Sequence, residues 1–264
     1  MKVTVLGSGT SHGVPMIGCE CAVCRSADPR DRRSRPSILI DLGEPADAQS
    51  APATRFILID TSTDLRAQAL ALGIRRVDAI LFTHSHADHI FGLDEVRRFN
   101  HLTRSAMPCY ADEPTCADLR RTFKYIFDAD TEPGGGIPNV SLTVIDGPLT
   151  LGGVEFVPVP ILHGARPILG FRVGSFAYLT DCNAIPEPSF ALLHGVDTLV
   201  LDALRERPHP THFNIAEATA AATRIGATRT YFTHICHDLP HAATNARLPA
   251  GIELAYDGLV IENA

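Results

Sequence analysis

Four short apolar runs of this chain each end in a histidine or an aspartate, and this pattern constrains the fold more than any other feature. Their composition predicts buried β-strands. Because strand ends are rigid and direct side chains toward a common rim, the residues that follow such strands can converge on one site. The runs are VDAILFT (77–83), VEFVPVPIL (154–162), FAYLT (176–180) and TRTYFT (228–233), and they lead into His84, His163, Asp181 and His234.

The first run opens the cluster His84-Ser85-His86-Ala87-Asp88-His89. Alternate residues of an extended segment point the same way, so His84 and His86 can bind one metal ion. Asp88 and His89 follow where the chain bends toward helix, and they can reach a second ion. Without metal, so many titratable groups in six residues would repel one another or stay unsatisfied.

Three later residues can complete this two-ion site. We expect His163 to join the first ion and His234 the second, with the two oxygens of Asp181 shared between them. Imidazole and carboxylate ligands suit several divalent ions, so Mn, Zn and Ni all remain open for the two active-site ions.

Further strands and helices alternate along the chain. Two helices have clear boundaries, from about Ser62 to Leu72 before Gly73 and from Asn214 to Gly226, and a third is predicted from Ile90 to about His101. Pro158 and Pro160 predict an edge or irregular position for their strand. We interpret 104–137, which ends in the loop signal PGGGIP, as a flap or insertion, and IELAYDGLVIE (252–262) as a final hairpin. The other predicted strands are 2–6, 37–42, 55–60, 168–173 and 197–202.

A second cluster contains Cys19, Cys21 and Cys24 in C-x-C-x-x-C spacing. Three thiolates this close supply three of the four ligands of a tetrahedral structural zinc ion. The fourth ligand must come from elsewhere in the chain. The odd total of 7 cysteines argues against a framework built only of disulfides.

Composition excludes several classes of protein. No apolar run in the 264 residues approaches the roughly 20 needed to cross a bilayer. The N-terminal sequence lacks the features of a signal peptide, so we expect a cytoplasmic protein with reduced thiols. The net charge of −7 makes nucleic acid an improbable partner.

The H-x-H-x-D-H cluster followed by histidine, aspartate and histidine at later strand ends resembles the metallo-β-lactamase superfamily. The resemblance extends from the first strand to His237 and implies an α+β fold. This fold is a four-layered αβ/βα sandwich, here a single domain over 1–264. The repeated Phe-Thr-His at 82–84 and 232–234 fits the two-half construction of such folds.

The cysteine motif after GSGTSHGVP is similar to that of phosphodiesterases associated with carbon–phosphorus lyase pathways, whose substrate is a phosphoribosyl cyclic phosphate. The resemblance implies His237 as the fourth structural zinc ligand, with the adjacent Cys236 as the rival. It also implies that His212 faces the scissile phosphate and protonates the leaving oxygen. An ordinary histidine pKa near 6.5 suits that role.

Several other polar residues have open roles. Asp60 ends a strand and could orient a ligand histidine or simply begin a helix. His12 could line the pocket or belong to a turn, since the proline and cysteines after its glycine-rich loop exclude a dinucleotide site. The arginines at 30, 32, 33 and 35 are expected on a solvated loop. We expect surface positions for His101, His194 and His241.

These observations predict a metal-dependent phosphodiesterase that acts on a small cyclic phosphodiester or nucleotide-like substrate. Its nucleophile would be a hydroxide shared by the two ions, with Asp88 and His212 as catalytic residues. The alternatives are a tRNA 3′-processing nuclease, a thioester hydrolase of the same superfamily and a non-enzymatic zinc-binding interaction module. A homodimer is possible.

Overall fold

Two seven-stranded sheets form the frame of the protein. The computed structural model describes residues 1–43, 54–132 and 136–262. The first sheet is antiparallel at its β14, β1, β2 and β3 side and parallel from β3 to β6. Its strands, in order across the sheet, are β14 (Val260–Glu262), β1 (Lys2–Gly7), β2 (Ser37–Asp41), β3 (Phe56–Ile59), β4 (Ala79–Leu81), β5 (Met107–Ala111) and β6 (Val140–Val144).

The second sheet repeats this mixed arrangement, with parallel pairing from β10 to β13 and antiparallel pairing from β7 to β10. The strand that contains Pro158 and Pro160 is not at the edge, because β8 lies between β9 and β7, but it is irregular: β7 pairs with it only over 154–156, short of both prolines. In order across this sheet, the strands are β13 (Ile252–Leu254), β12 (Arg229–Thr233), β11 (Thr198–Asp202), β10 (Phe176–Leu179), β9 (Arg166–Val173), β8 (Val154–His163) and β7 (Leu149–Leu151).

Helices cover the outer faces of the two sheets. Asn214 and Glu217 form the capping box of α7, and Gly226 ends that helix in the left-handed conformation. The helices are α1 (Leu65–Ala71), α2 (Ala87–Ile90), α3 (Val96–Thr103), α4 (Glu113–Thr122), α5 (Lys124–Phe127), α6 (Glu187–Leu192), α7 (Ile215–Ile225) and α8 (His241–Asn245), with 3₁₀ turns at Pro29–Asp31 and Phe91–Glu95. In the described part of the chain, no helix is long and apolar enough to cross a membrane.

Three apolar clusters hold these layers together. The central cluster lies between the sheets and includes Val5, Ile40, Phe171 and Tyr178, all fully buried. A second packs the first sheet against α3 and α4, and a third packs the second sheet against α6 and α7. Burial of apolar surface on both faces of each sheet is the main force that stabilises such a sandwich. The predicted αβ/βα architecture is confirmed.

Two segments differ from the sequence-based expectation. Residues 107–122 form β5, a strand of the first sheet, and α4, which packs against that sheet, so this part of 104–137 belongs to the sandwich and not to a flap. Residues 133–135 of that segment lie outside the described residues. The hairpin prediction for 252–262 is wrong, because β13 joins the second sheet and β14 the first. Asp257, between them, accepts hydrogen bonds from Ser8 and Ser34.

Candidate metal centres and active site

The structure brings the expected active-site ligands together in two adjacent sets. The first set contains His84 and His86 after β4, His163 at the end of β8 and Asp181 after β10. One ligand atom from each of these residues lies within 4.8 Å of the others. Whereas His84 and Asp181 are buried, His86 is exposed, so this set opens toward solvent.

The second set contains Asp88, His89, Asp181 and His234, and all four are buried. The Nε2 atoms of His89 and His234 each lie 3.2 Å from an oxygen of Asp181. The same two nitrogens lie 3.4 and 3.6 Å from Oδ2 of Asp88. Asp181 belongs to both sets, as expected for a carboxylate that could hold two ions.

Unpaired polar atoms show that these residues fit divalent ions. Among the described residues, the buried Nε2 atoms of His84, His89 and His234 and Oδ2 of Asp88 make no hydrogen bond. Buried polar atoms in proteins are normally paired. Ligand atoms bound to one ion at about 2.0–2.2 Å are separated by roughly 3–3.5 Å, close to the spacing in the second set. The atoms left unpaired are thus the ones that a metal ion would take.

The two sets differ electrostatically. Burial lowers the pKa of His84, His86 and His163, which favours the neutral imidazole that binds metal. Burial opposes a charge on His89 too, but the carboxylates of Asp181 and its other acidic neighbours outweigh that effect and raise the pKa of His89 well above its usual value. A metal ion entering the second set would therefore have to displace a proton.

A shared carboxylate orients the histidines of the first sheet. Asp60 Oδ2 accepts a hydrogen bond from His89 Nδ1 at 2.7 Å, which leaves Nε2 of that ring for metal. Asp60 also accepts from the backbone and hydroxyl of Thr83, both at 2.8 Å. The Thr83 hydroxyl in turn lies 3.0 Å from Nδ1 of His84. Of the two roles considered for Asp60, the geometry favours orientation of a ligand histidine.

The backbone is unusual where strands meet this site. Asp60, Asp181 and His234 have φ angles of 64°, 56° and 60°, although none is glycine. Non-glycine residues seldom adopt this left-handed conformation, and it concentrates at functional sites, where surrounding structure enforces it. All three residues follow strand ends and belong to the site or its immediate support.

His212 lies beside the second set and is held by Asp202. The His212 ring stacks on the ring of His234 at a centroid distance of 4.5 Å and lies 4.8 Å from that of His163. Its Nδ1 donates to Asp202 Oδ2 at 3.0 Å, which leaves Nε2 free for proton transfer. The same oxygen accepts from the backbone N–H of Cys182.

Sequence reasoning missed Asp202 as a site residue. The sequence did contain a signal for it. Asp202 stands at the end of an apolar strand, just as His84, Asp181 and His234 directly follow apolar strands. Its Oδ1 also lies 3.7 Å from Nδ1 of His234, so one carboxylate contacts both the candidate acid and a candidate metal ligand.

The cysteine cluster closes around His237. The Nδ1 atom of His237 lies 3.2, 3.5 and 3.6 Å from the sulfurs of Cys19, Cys21 and Cys24. A tetrahedral zinc ion with ordinary bond lengths separates sulfur and nitrogen ligands by about 3.5 Å, so the four residues fit zinc. The group of side chains close enough to hold one metal ion contains His237 and not Cys236.

Two of these thiols differ in acidity. The backbone N–H of Cys24 donates to the sulfur of Cys21 and lowers the pKa of the Cys21 thiol to about 6. Burial raises the pKa of Cys24 to about 11. Since the thiolate is the metal-binding form, Cys21 is the thiol prepared to bind zinc at neutral pH.

Two expectations about polar residues need correction, those for Arg33 and His241. Arg33 is buried and not on a solvated loop, because its guanidinium donates to the carbonyls of Cys236 and Leu239 and pairs with Asp31. His241 is buried, with its backbone N–H bound to Asp31, whereas His101 and His194 are exposed as expected. His12 is exposed and lines a cavity beside His212.

A family model described as a β-lactamase superfamily domain matches residues 55–235, about two thirds of the chain. The chain belongs to the metallo-β-lactamase superfamily. A solved structure of a new diphosphatase from the PhnP family is 48% identical, with a TM-score of 0.88, and the match covers 100% of this chain and 98% of that one. Family membership and the two His/Asp sets together support a metal-dependent hydrolase.

Two curated relatives have other names. An octanoyltransferase from Porphyromonas gingivalis is 36% identical over 261 residues, 98% of this chain, but the chain spans only about half (51%) of that protein. A coenzyme PQQ synthesis protein B from Methylobacterium radiotolerans is 31% identical over 226 residues, 76% of this chain and 72% of that protein.

Proposed function

We propose that this protein is a dinuclear metal-dependent phosphodiesterase that hydrolyses a small phosphodiester. The observation that carries the proposal is the position of the His212–Asp202 pair against two ligand sets that share Asp181. This arrangement supports the proposal, because His212 would serve as a proton donor beside a centre suited to stabilising phosphoryl charge.

The ligand residues would bind three metal ions, two at the active site and one at the structural site. The first set would hold one ion and the second set the other, with Asp181 shared and Asp88 in the second set. When bound, two divalent ions supply Lewis-acid stabilisation of the phosphoryl group and a nucleophile at neutral pH. A separate Cys/His site would hold structural zinc, which contributes to folding and not to chemistry.

The role of His212 follows from its hydrogen bonds. Because Nδ1 donates to Asp202, the proton for a leaving oxygen must reside on Nε2. Asp202 would fix the ring, as an aspartate does behind a catalytic histidine in hydrolases. Burial lowers the pKa of His212, which makes its protonated form a stronger acid toward a leaving oxygen. Alkoxide leaving groups need this proton far more than nitrophenolate does.

A second candidate activity is hydrolysis of a diphosphate. The observation that favours it is the 48% identical diphosphatase structure, which matches the chain over its whole length. The bond broken is again P–O, but the leaving group is then a phosphate, which departs without a strong requirement for His212. The two candidates therefore differ in how much they depend on one residue.

The experiment measures hydrolysis of bis-p-nitrophenyl phosphate, a 2′,3′-cyclic nucleotide and a nucleoside diphosphate with added Mn, Zn or Ni. We expect turnover of both diesters, with the cyclic compound strongly dependent on His212. Cleavage of the diphosphate alone would select the second candidate. A fully metal-loaded protein that cleaved none of the three would refute both.

A further inference from the structure

Three polar side chains join the two sheets beside the first ligand set, and we call them the Ser85 bridge: Ser85, Asp118 and Arg166. Ser85 lies between the candidate ligands His84 and His86. Its hydroxyl donates to Oδ2 of Asp118 at 2.5 Å and accepts from an Nη atom of Arg166 at 3.0 Å. That nitrogen also lies 3.6 Å from Oδ2 of Asp118, so each member of the bridge contacts the other two.

The bridge connects the two halves of the chain. Ser85 follows β4 and Asp118 lies on α4, whereas Arg166 begins β9 of the second sheet. In the hairpin that β8 and β9 form, Arg166 is paired directly with His163, the histidine that the second sheet contributes to the first set. The first set therefore combines histidines from two sheets, and the bridge fixes the distance between the segments that carry them.

The histidines of the first set differ in how their rings are supported. Nδ1 of His84 lies 3.0 Å from a threonine hydroxyl, and Nδ1 of His163 donates to the carbonyl of Thr211 at 3.0 Å. Within the described residues, the exposed ring of His86 forms no hydrogen bond, although it contacts the rings of the other two histidines. Its position therefore depends on the backbone before it, which the Ser85 bridge anchors.

We propose that Asp118 and Arg166 are positioning residues for the first metal ion. Through the Ser85 hydroxyl they hold the segment that carries His86 against the hairpin that carries His163. Partners behind metal ligands hold those ligands in the geometry that the ion requires, so loss of the bridge would weaken this ion selectively. The inference deepens the proposed function, because the first set is one half of the two-ion centre on which that function rests.

The test uses isothermal titration calorimetry of Mn²⁺ with protein that lacks active-site metal but retains zinc at the cysteines. Mn²⁺ is the probe, because it competes poorly with zinc for thiolate ligands. His86→Ala and Asp88→Ala, which each remove a ligand from one set alone, assign the two binding events. In Asp118→Ala, we expect the first-set ion to bind about 10- to 100-fold more weakly, the usual cost of removing the support behind a metal ligand. The second-set ion should keep its affinity, because Asp60 orients its His89 ligand separately.

Matched variants separate positioning from a general structural role. Ser85→Ala removes the hydroxyl at the centre of the bridge and should weaken the first-set ion about as much as Asp118→Ala. The two changes together should cause little further loss, since both break the same contact. Arg166→Lys should bind this ion more tightly than Arg166→Gln, because lysine retains the charge and a donor. Arg121→Gln is the control and should bind both ions as the wild type does, since Arg121 donates to the other oxygen of Asp118 but its side chain is 80% exposed.

The outcomes separate the positioning role from the proposed function. Unchanged affinity for the first-set ion in Asp118→Ala and Ser85→Ala, or equal weakening of both ions, would overturn the positioning role while the phosphodiesterase assignment stands. Melting temperatures show that each variant is folded. If the Mn²⁺ affinities shift as expected but the metal-loaded wild type hydrolyses no phosphodiester, the proposed function fails and the positioning role stands.

Discussion

The His/Asp cluster and the Cys/His cluster meet on one short stretch, because His234 belongs to the first and His237 to the second. They are built in opposite ways. The His/Asp cluster draws on strand ends of both sheets, whereas the Cys/His cluster takes three ligands from six consecutive residues. Most ligands of the strand-built cluster are buried and supported by other side chains, with His86 and His163 as its more accessible members, while the cysteines lie on a loop. Rigidly supported ligands are suited to a catalytic site. A loop whose ligands are joined by a metal ion is suited to stabilising the fold.

The sharpest way to test this division is Asp181→Ala, which removes the carboxylate common to both sets. We expect turnover to fall by about 10³-fold or more, because metal ions contribute several kcal/mol of transition-state stabilisation. Metal analysis should show loss of active-site ions but retention of zinc at the cysteines. Asp146→Ala, at an exposed site between β6 and β7, is the control. Full activity in Asp181→Ala would refute the shared-ligand assignment.

His212→Ala tests whether the chemistry of the His/Asp cluster includes an acid. We expect a loss of about 10²-fold or more with a cyclic nucleotide, the usual contribution of general acid catalysis. With bis-p-nitrophenyl phosphate the loss should be small, since nitrophenolate departs unprotonated. The exposed His194→Ala is the matched control. Equal losses on both substrates would show that His212 does not act as the acid.

Asp60→Asn tests the support behind the ligands without removing a ligand. The amide retains the shape but cannot hold the His89 ring as a carboxylate does. Loss of such a partner typically costs 10- to 100-fold in metal affinity or activity, so we expect about that decrease. Titration of activity against added metal measures it, and excess metal should restore part of the turnover. An unchanged titration curve would mean that Asp60 does not set the His89 position.

Cys21→Ser should have the smallest effect on chemistry. We expect a lower melting temperature and one fewer zinc per chain, with kcat changed by no more than about threefold, because the metal of this loop contributes folding energy. Differential scanning fluorimetry and metal analysis provide the readouts. Cys236→Ser, whose sulfur lies outside the cluster, should keep both values. Loss of turnover in a fully folded Cys21→Ser protein would show that the Cys/His cluster takes part in catalysis and is not purely structural.

Most of the His/Asp cluster could be predicted from the sequence. Its ligands lie at strand ends, and strands can be recognised from short stretches of sequence. The residues alone did not decide whether Cys236 or His237 is the fourth zinc ligand. Two adjacent loop residues differ in the direction of their side chains, which the sequence does not show. The sequence also could not show that Arg33 would be buried. The carbonyls that accept its hydrogen bonds belong to residues about 200 positions later in the chain. Local pattern predicted two strands within 252–262 but not that they join different sheets.

That last division has a consequence for solubility. Within the described chain, β13 forms one edge of the second sheet and β14 one edge of the first. A stretch of eleven residues, 252–262, thus covers the open hydrogen-bonding edges of both β12 and β1. Exposed strand edges are templates for pairing between molecules. Because β13 and β14 are each only three residues long, this segment leaves both sheets with short edge strands, which offer little template for edge-to-edge aggregation.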